Sequence, residues 1–177
     1  VGSFRLPEDN STWLAYYKGT GGGGAAGGGR GGRGGGAPAG GRGGQGGANA
    51  QDRNNKQPGS DLVIRNLATG EETTIPEVTE YTWNKGGTLL AYAVSSNDAE
   101  KDGAYVRRMN DGSVVTLHSG KGRYRSLTFD EAGTQIAFLS DQADFGKPVA
   151  PYRLYYWRQG SASSTPTGAT EIVSADT

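Results

Sequence analysis

The sequence predicts an all-β fold, an incomplete β-propeller of about three four-stranded antiparallel blades. Three stretches share one pattern of a small residue, an apolar residue, alanine and an aromatic: "STWLAYYKG" at 11–19, "GTLLAYAVS" at 87–95 and "GTQIAFLSD" at 133–141. The last two are offset by 46 residues, and the segments 61–70 and 103–112 match at an offset of 42. A period in the low forties with several short strands per unit is typical of propeller blades. No 12-residue segment shows a strong helical period.

Each repeat begins with a short strand, a tight turn and a second strand. The first strands carry the aromatics Phe4, Trp83 and Phe129. The segments that follow are "PEDNST", "NKGGT" and "DEAGT". They are predicted to be turns, because they are rich in residues that favour tight turns. In each second strand, alternation places two large side chains on the same face. These pairs are Leu14 and Tyr16, Leu90 and Tyr92, and Ile136 and Phe138. The opposite face carries Ala15, Ala91 and Ala137, whose small size lets a neighbouring blade approach closely.

Each repeat then ends in a hairpin. The third strands are "LVIRNL", "AYVRRM" and "RLYYWR". The turns "ATGE" and "NDGS" lead into fourth strands "TTIPEV" and "VVTLHS", and the third unit ends in "TEIVS". The predicted limits are blade one 1–78, blade two 79–120 and blade three 121–177. Since closed propellers typically have four to eight blades, we expect residues 1–177 to be a fragment of a longer propeller.

A Gly/Arg-rich insertion at 19–60 interrupts blade one. It holds 20 of the 32 glycines and five basic residues against Asp52 alone. Such a segment buries too little apolar surface to offset its conformational entropy, so we expect a disordered loop between the second and third strands. A phosphate-binding loop is disfavoured, because no Gly-Lys-Ser/Thr follows. Nucleic-acid binding is also disfavoured, because no aromatic for base stacking occurs between Tyr17 and Tyr81.

Composition excludes further function classes. The chain has no cysteine, which excludes disulfides and thiolate catalysis, and its net charge is zero. The sequence has no run of about 18 apolar residues, so no membrane span is predicted. No Gly-x-Ser-x-Gly elbow occurs, since Ser119 and Ser161 lack the glycine two residues earlier. His118 is the only histidine and is predicted to be a structural residue at a blade edge. We therefore assign no catalytic residue, no metal ligand and no cofactor.

Four weaker patterns have a structural and a functional interpretation. "DAEKDG" at 98–103 mimics the start of a calcium loop, but Met109 stands where a bidentate glutamate is required, so a solvated hairpin loop is favoured. The basic residues of "KGRYR" and "VRR" are expected in surface or interblade ion pairs, and lining of a central channel is the alternative. "Asn10-Ser11-Thr12" is a glycosylation acceptor if the host glycosylates. The aromatics of the last repeat are expected in the blade core, with an exposed rim as the alternative: Tyr152, Tyr155, Tyr156 and Trp157.

The stretches "SDLVIRNLATGEETTIPEVTEYTWNKGGTLLAYAVSS" and "SLTFDEAGTQIAFLSD" resemble the N-terminal propeller of the prolyl oligopeptidase family of serine peptidases. The resemblance implies a non-catalytic portion that filters peptide substrates and packs against an α/β-hydrolase domain further along the polypeptide. It favours a bacterial periplasmic or secreted location, with a cytoplasmic one also open. TolB-like propellers share the strand pattern, so the alternative is a propeller module that binds proteins and has no enzyme attached.

Overall fold

The computed structural model describes residues 4–19, 56–160 and 168–173, and it folds them into two antiparallel sheets. Their helical residues are confined to two short 3-10 turns, Ala99–Lys101 and Gln142–Asp144. No helix in these ranges is long and apolar enough to cross a membrane. The strands are β1 Phe4–Arg5, β2 Trp13–Tyr17, β3 Ser60–Asn66, β4 Glu72–Trp83, β5 Leu89–Val94, β6 Gly103–Arg108, β7 Val114–Ser119, β8 Tyr124–Phe129, β9 Gln135–Ser140, β10 Arg153–Arg158 and β11 Thr170–Val173.

The strands follow one another as meanders. The larger sheet contains β1 to β7 in chain order, and the smaller one contains β8 to β11. Strand β4 runs for 12 residues, pairing with β3 before Val78 and with β5 after it, and its register shifts between Val78 and Glu80. The sequence predicts two separate strands here. A bulge lets one strand bend and change partners without a break. We call β1 to Val78 the first meander, Thr79 to β7 the second and β8 to β11 the third.

The meanders pack face to face according to one rule. In each second strand, one face carries the central alanine, here called the alanine face, and the other carries the large pair, here called the large face. Ala15 of the first meander packs with Leu90 and Tyr92 of the second. Ala91 of the second meander packs in turn with Ile136 and Phe138 of the third. The predicted alternation is therefore confirmed, and the alanine faces of the first two meanders are each covered by the large face of the next meander.

The described chain is an incomplete propeller. All of its strands are antiparallel, and no strand pairing joins the first meander to the third within the ranges given above. The three meanders therefore form an arc, because their sheets stack in series without closing a ring. The all-β prediction is confirmed. The blade limits at 78/79 and 120/121 stay predictions, although the bulge in β4 lies at the first of them.

The described residues resume at Lys56, within the predicted 19–60 insertion. Strands β2 and β3 are paired neighbours, and residues 20–55, which connect them, lie outside the described residues. The four residues before β3 were predicted to belong to the disordered loop, yet they are held in place. The Lys56 ammonium donates to Ser96 O at 2.6 Å and forms an ion pair with Asp102. Gly59 N donates to Ser95 O at 2.9 Å. The 19–60 limits of the insertion stay a prediction, although Lys56 and Gly59 are already held by contacts distant in sequence.

Candidate functional site

An open cleft lies where the first strands of the three meanders come side by side. Its volume is about 580 Å³. Charged groups of both signs stand along it, which suits a ligand with polar and ionic groups better than a purely apolar one. We call these first strands, β1, β4 and β8, the inner strands. The blades of a propeller surround a central channel, and the space at the inner strands corresponds to that channel. The lining residues are Arg5, Leu6 and Glu8, then Thr82 to Lys85, then Leu127 to Glu131.

Two equivalent side chains shape the turns that edge this cleft. The Asn84 Oδ1 accepts the backbone N–H groups of Thr88 and Leu89, both at 2.9 Å. The Asp130 Oδ1 accepts those of Thr134 and Gln135, both at 2.8 Å. The hydrogen bond from Gln135 N, with that from Thr134 N, holds the pKa of Asp130 below its usual range. The signal was present in the sequence as an Asn or Asp at the start of "NKGGT" and "DEAGT", where such side chains close turns on their own backbone.

The same turns are stacked on one another at glycine. Gly87 has φ +66°, and a Cβ there would lie 2.7 Å from Pro7 Cγ of the preceding turn. Gly133 has φ +68°, and a Cβ there would lie 3.0 Å from Asn84 Cβ. Only glycine adopts this left-handed backbone without strain, and here it also permits the close approach. The spacing between successive turns at the edge of the cleft is therefore limited by close contact between each glycine and side-chain atoms of the preceding turn.

Hydrogen bonds cross-link the inner strands. The Glu80 carboxylate of β4 accepts the N–H groups of Ser126 and Leu127 of β8, both at 2.9 Å. Ser126 has φ +58°, which turns the two N–H groups toward one carboxylate. On the other side, Trp83 Nε1 donates to Arg5 O at 3.2 Å. Sequence reasoning missed the role of Glu80, because its partners lie 46 and 47 residues away.

The predicted basic residues lie outside this cleft. Arg123 forms an ion pair with the buried carboxylate of Asp141 at 3.7 Å. The Arg125 guanidinium lies 3.6 Å from the centre of the Tyr152 ring. Neither arginine is among the residues that line the cleft, although Arg125 belongs to β8. The ion-pair interpretation fits Arg123, whereas Arg125 is held by a cation–π contact.

The aromatic cluster of the last repeat is divided between two faces. Tyr155 and Trp157 are buried in the core between the second and third meanders, as predicted. Tyr156 lies on the opposite face, and its hydroxyl donates to Gln135 Oε1. Tyr152 lies outside the core and stacks with Arg125. The core prediction is thus correct for Tyr155 and Trp157. It is wrong for Tyr156, because adjacent residues of a strand point to opposite faces, and for Tyr152, which precedes β10.

His118 is enclosed by aromatic rings. Its ring centre is 4.4 Å from that of Tyr155, and Nδ1 lies 3.3 Å from the Tyr124 hydroxyl. Burial lowers the pKa of His118, so its neutral form is favoured. Within the described ranges, the hydroxyl in hydrogen-bond reach of this ring is that of Tyr124.

A buried polar network holds the opposite end of the second meander. The Asp102 side chain is fully buried, and besides Lys56 it accepts Ser96 N at 2.8 Å and Gly122 N at 3.3 Å. The nearby Glu77 carboxylate accepts the Ser96 hydroxyl and Asn97 N, which lowers the pKa of Glu77. The network links the segment before β3 to the β5–β6 loop and the entry to β8.

The calcium-like pattern does not converge on one point. Asp98 caps the 3-10 turn through Glu100 N and forms an ion pair with Lys101 at 3.3 Å. Asp102 points instead into the buried network with Lys56. No group of three or more acidic or histidine side chains in the described ranges could hold a metal ion. Asn10 of the glycosylation motif is engaged locally, since its Oδ1 accepts Thr12 N at 2.7 Å.

No protein-family profile and no curated protein matches the chain. Solved structures do resemble it. The β-propeller domain of the Trilobed protease from Pyrococcus furiosus is 16% identical with a TM-score of 0.49, covering 64% of this chain and 34% of that one. Pyrococcus horikoshii acylaminoacyl peptidase is 15% identical with a TM-score of 0.44, covering 96% and 25%. TolB from Acinetobacter baumannii is 14% identical with a TM-score of 0.42, covering 64% and 26%.

The chain therefore spans about a quarter to a third of the length of these proteins. At such low identity the likeness concerns the fold alone.

Proposed function

We propose that this chain is a non-catalytic, substrate-filtering portion of the propeller of a prolyl-oligopeptidase-like serine peptidase. The observation that carries the proposal is the cleft at the inner strands. It is open, lined by charged and polar groups, and bordered by side chains that are already engaged in turn and strand contacts. A surface of this kind admits or excludes a peptide without performing chemistry on it.

The rigidity of the cleft supports a filtering role. The turns stack through Gly87 and Gly133, and Glu80 ties β4 to β8. A passage whose walls are held by several such contacts discriminates ligands by cross-section, because widening it requires breaking those contacts together. The charges of Arg5 and Glu131 on its walls suit the polar backbone and termini of a peptide.

The catalytic partner in this proposal is an α/β-hydrolase domain of the same polypeptide, as the sequence resemblance implies. Acyl transfer needs a nucleophile, a base and oxyanion donors within a few ångströms of one another, whereas the contacts of His118 with described residues are with Tyr124 and Tyr155. The proposed division of labour places cleavage in the hydrolase domain and selection of the substrate in the propeller.

An active-site serine probe tests the proposal. The parent protein and purified residues 1–177 are treated side by side with a fluorophosphonate, and their cleavage of a short peptide and of an unfolded protein is compared. We expect labelling and peptide cleavage by the parent alone. Removing the propeller from the parent should increase cleavage of the unfolded protein relative to the short peptide. A parent that reacts with neither probe nor peptide would favour the TolB-like, protein-binding alternative. Labelling of residues 1–177 that disappears in His118→Ala would refute both.

A further inference from the structure

Two hydrogen bonds join the second meander to the third at their outer edge. Gly168 N donates to Thr116 O at 3.1 Å, and Ala169 N donates to Leu117 O at 2.9 Å. Gly168 and Ala169 precede β11, whereas Thr116 and Leu117 belong to β7, and we call this pair of bonds the outer seam. His118 is the next residue of β7. A change of charge on its ring therefore takes place beside the seam.

The hydrogen bonds around His118 determine where its protons lie. The Tyr124 hydroxyl donates to Gly120 O at 2.8 Å, so its oxygen is left to accept a hydrogen bond from His118 Nδ1, which lies 3.3 Å away. The neutral ring therefore carries its proton on Nδ1, and acid adds the second proton at Nε2. Within the described ranges, the hydrogen bond of this ring is the one at Nδ1.

Uncharged groups of three neighbouring strands lie against His118. Tyr124 of β8 and Tyr155 of β10 place their ring centres 5.9 and 4.4 Å from that of the imidazole. Burial raises the pKa of both phenols, so neither carries a negative charge near neutral pH. On β6, the residue paired with His118 is Ala104. A second proton on the imidazole therefore places a positive charge among groups that replace its lost hydration poorly.

The charged groups near the ring are already engaged with other partners. Glu171 of β11 is the carboxylate whose charge acts on His118. It forms an ion pair with Arg153 at 3.3 Å and accepts the Tyr155 hydroxyl at 3.4 Å. The other charged groups linked to this cluster are held in ion pairs of their own, and they are Asp144, Asp102 and Lys56. Neutralising a charged His118 would therefore draw Glu171 away from its contacts within the third meander.

We propose that His118 is a pH-sensitive switch at the outer seam, which is closed while the ring is neutral and opens when the ring is doubly protonated. Opening lets the charged ring regain water, whereas the closed seam holds it among the aromatic rings. Burial lowers the pKa of His118, in agreement with this geometry. The contribution of His118 to stability is therefore complete above the unfolded pKa of about 6.5 and is lost as the pH falls from there to the folded pKa. The inference does not rest on the proposed function.

Proton NMR of residues 1–177 tests the switch, because His118 is the only histidine and gives a single Hε1 signal to titrate. We expect a pKa of His118 below about 6.5. Glu171→Gln removes the negative charge that opposes the effect of burial, so the pKa of His118 should fall further in this variant. A pKa of about 6.5 or above in the wild-type chain would overturn the inference, because Glu171 and the Tyr155 ring would then stabilise the charged form.

Amide hydrogen exchange measures the opening of the seam itself. After correction for intrinsic exchange rates, the protection of Gly168 and Ala169 should fall between about pH 7.5 and about pH 5.5, the range in which an ordinary histidine titrates. The largest expected loss is about tenfold, which applies to an opening in which the imidazole regains its ordinary pKa. The Gly59 amide, which donates to Ser95 O between the first two meanders, is the internal control and should keep its protection.

His118→Phe separates the charge from the packing, because phenylalanine fills the place of the ring and binds no proton. In this variant the protection of Gly168 and Ala169 should be the same at both pH values. His118→Gln, which can still donate to the Tyr124 hydroxyl, is a second uncharged variant and should behave in the same way. A seam that opens in acid without the imidazole would overturn the inference, as would a wild-type seam whose protection does not change.

Discussion

Replacing Gly87 by alanine should destabilise the chain far more than the same change at Gly86, one residue earlier. Gly87 has φ +66°, and the left-handed conformation costs an L-residue roughly 1–2 kcal/mol. The new Cβ would also lie 2.7 Å from Cγ and 2.9 Å from Cβ of Pro7, so the first turn has to move. We expect a total loss of about 2–3 kcal/mol in the free energy of unfolding, since overpacking typically costs about 1–3 kcal/mol.

Gly86 is the matched control because it has no atom within 4 Å of a Cβ and no left-handed φ. Alanine there restricts the unfolded chain and should leave stability unchanged or raise it by about 0.5 kcal/mol. Urea unfolding followed by tryptophan fluorescence measures both. With a urea dependence of about 2 kcal/mol per molar, the Gly87→Ala midpoint should fall by roughly 1 M. Equal midpoints for the two variants would refute the argument that the first turn packs closely against Gly87.

Three further outcomes follow from the packing and the charges. Ala91→Leu should cost about 1–3 kcal/mol by overpacking a fully buried position, whereas Lys85→Leu in an exposed turn should change stability by less than about 0.5 kcal/mol; equal urea midpoints would contradict the face assignment. Asp102→Ala leaves the Lys56 ammonium without its buried partner and should cost about 3–5 kcal/mol, checked by thermal melting against Lys56→Met. The pKa of Asp130 is lowered in the folded chain, so this carboxylate stabilises the fold above about pH 4, and the stabilisation is lost as the pH falls through the folded pKa. Asp130→Asn should therefore flatten the loss of stability between about pH 5 and about pH 2. An unchanged pH profile in this variant would contradict the role given to Asp130.

The strands and their faces could be predicted from the sequence because both depend on local information. Alternation with period two assigns Leu90 to one face and Ala91 to the other whatever the neighbouring sheet does. The turns were recognisable for the same reason, since Asn84 and Asp130 bind backbone groups four and five residues away. The merging of two predicted strands into β4 was not recognisable, because a bulge at Val78 depends on where the next sheet lies.

The contacts that define the candidate site depend on how one meander is placed against the next. Glu80 reaches Ser126 only because the third meander brings that N–H group opposite the carboxylate. Lys56 likewise finds Asp102 across 46 residues, and composition assigned it to a disordered loop. Apolar columns tolerate small changes of angle between sheets, since dispersion and area burial are not directional. A hydrogen bond weakens steeply when its angle closes, so each polar contact demands a definite placement. The apolar columns therefore determine which meanders meet, whereas the polar contacts fix the angle between them and thereby the width of the cleft.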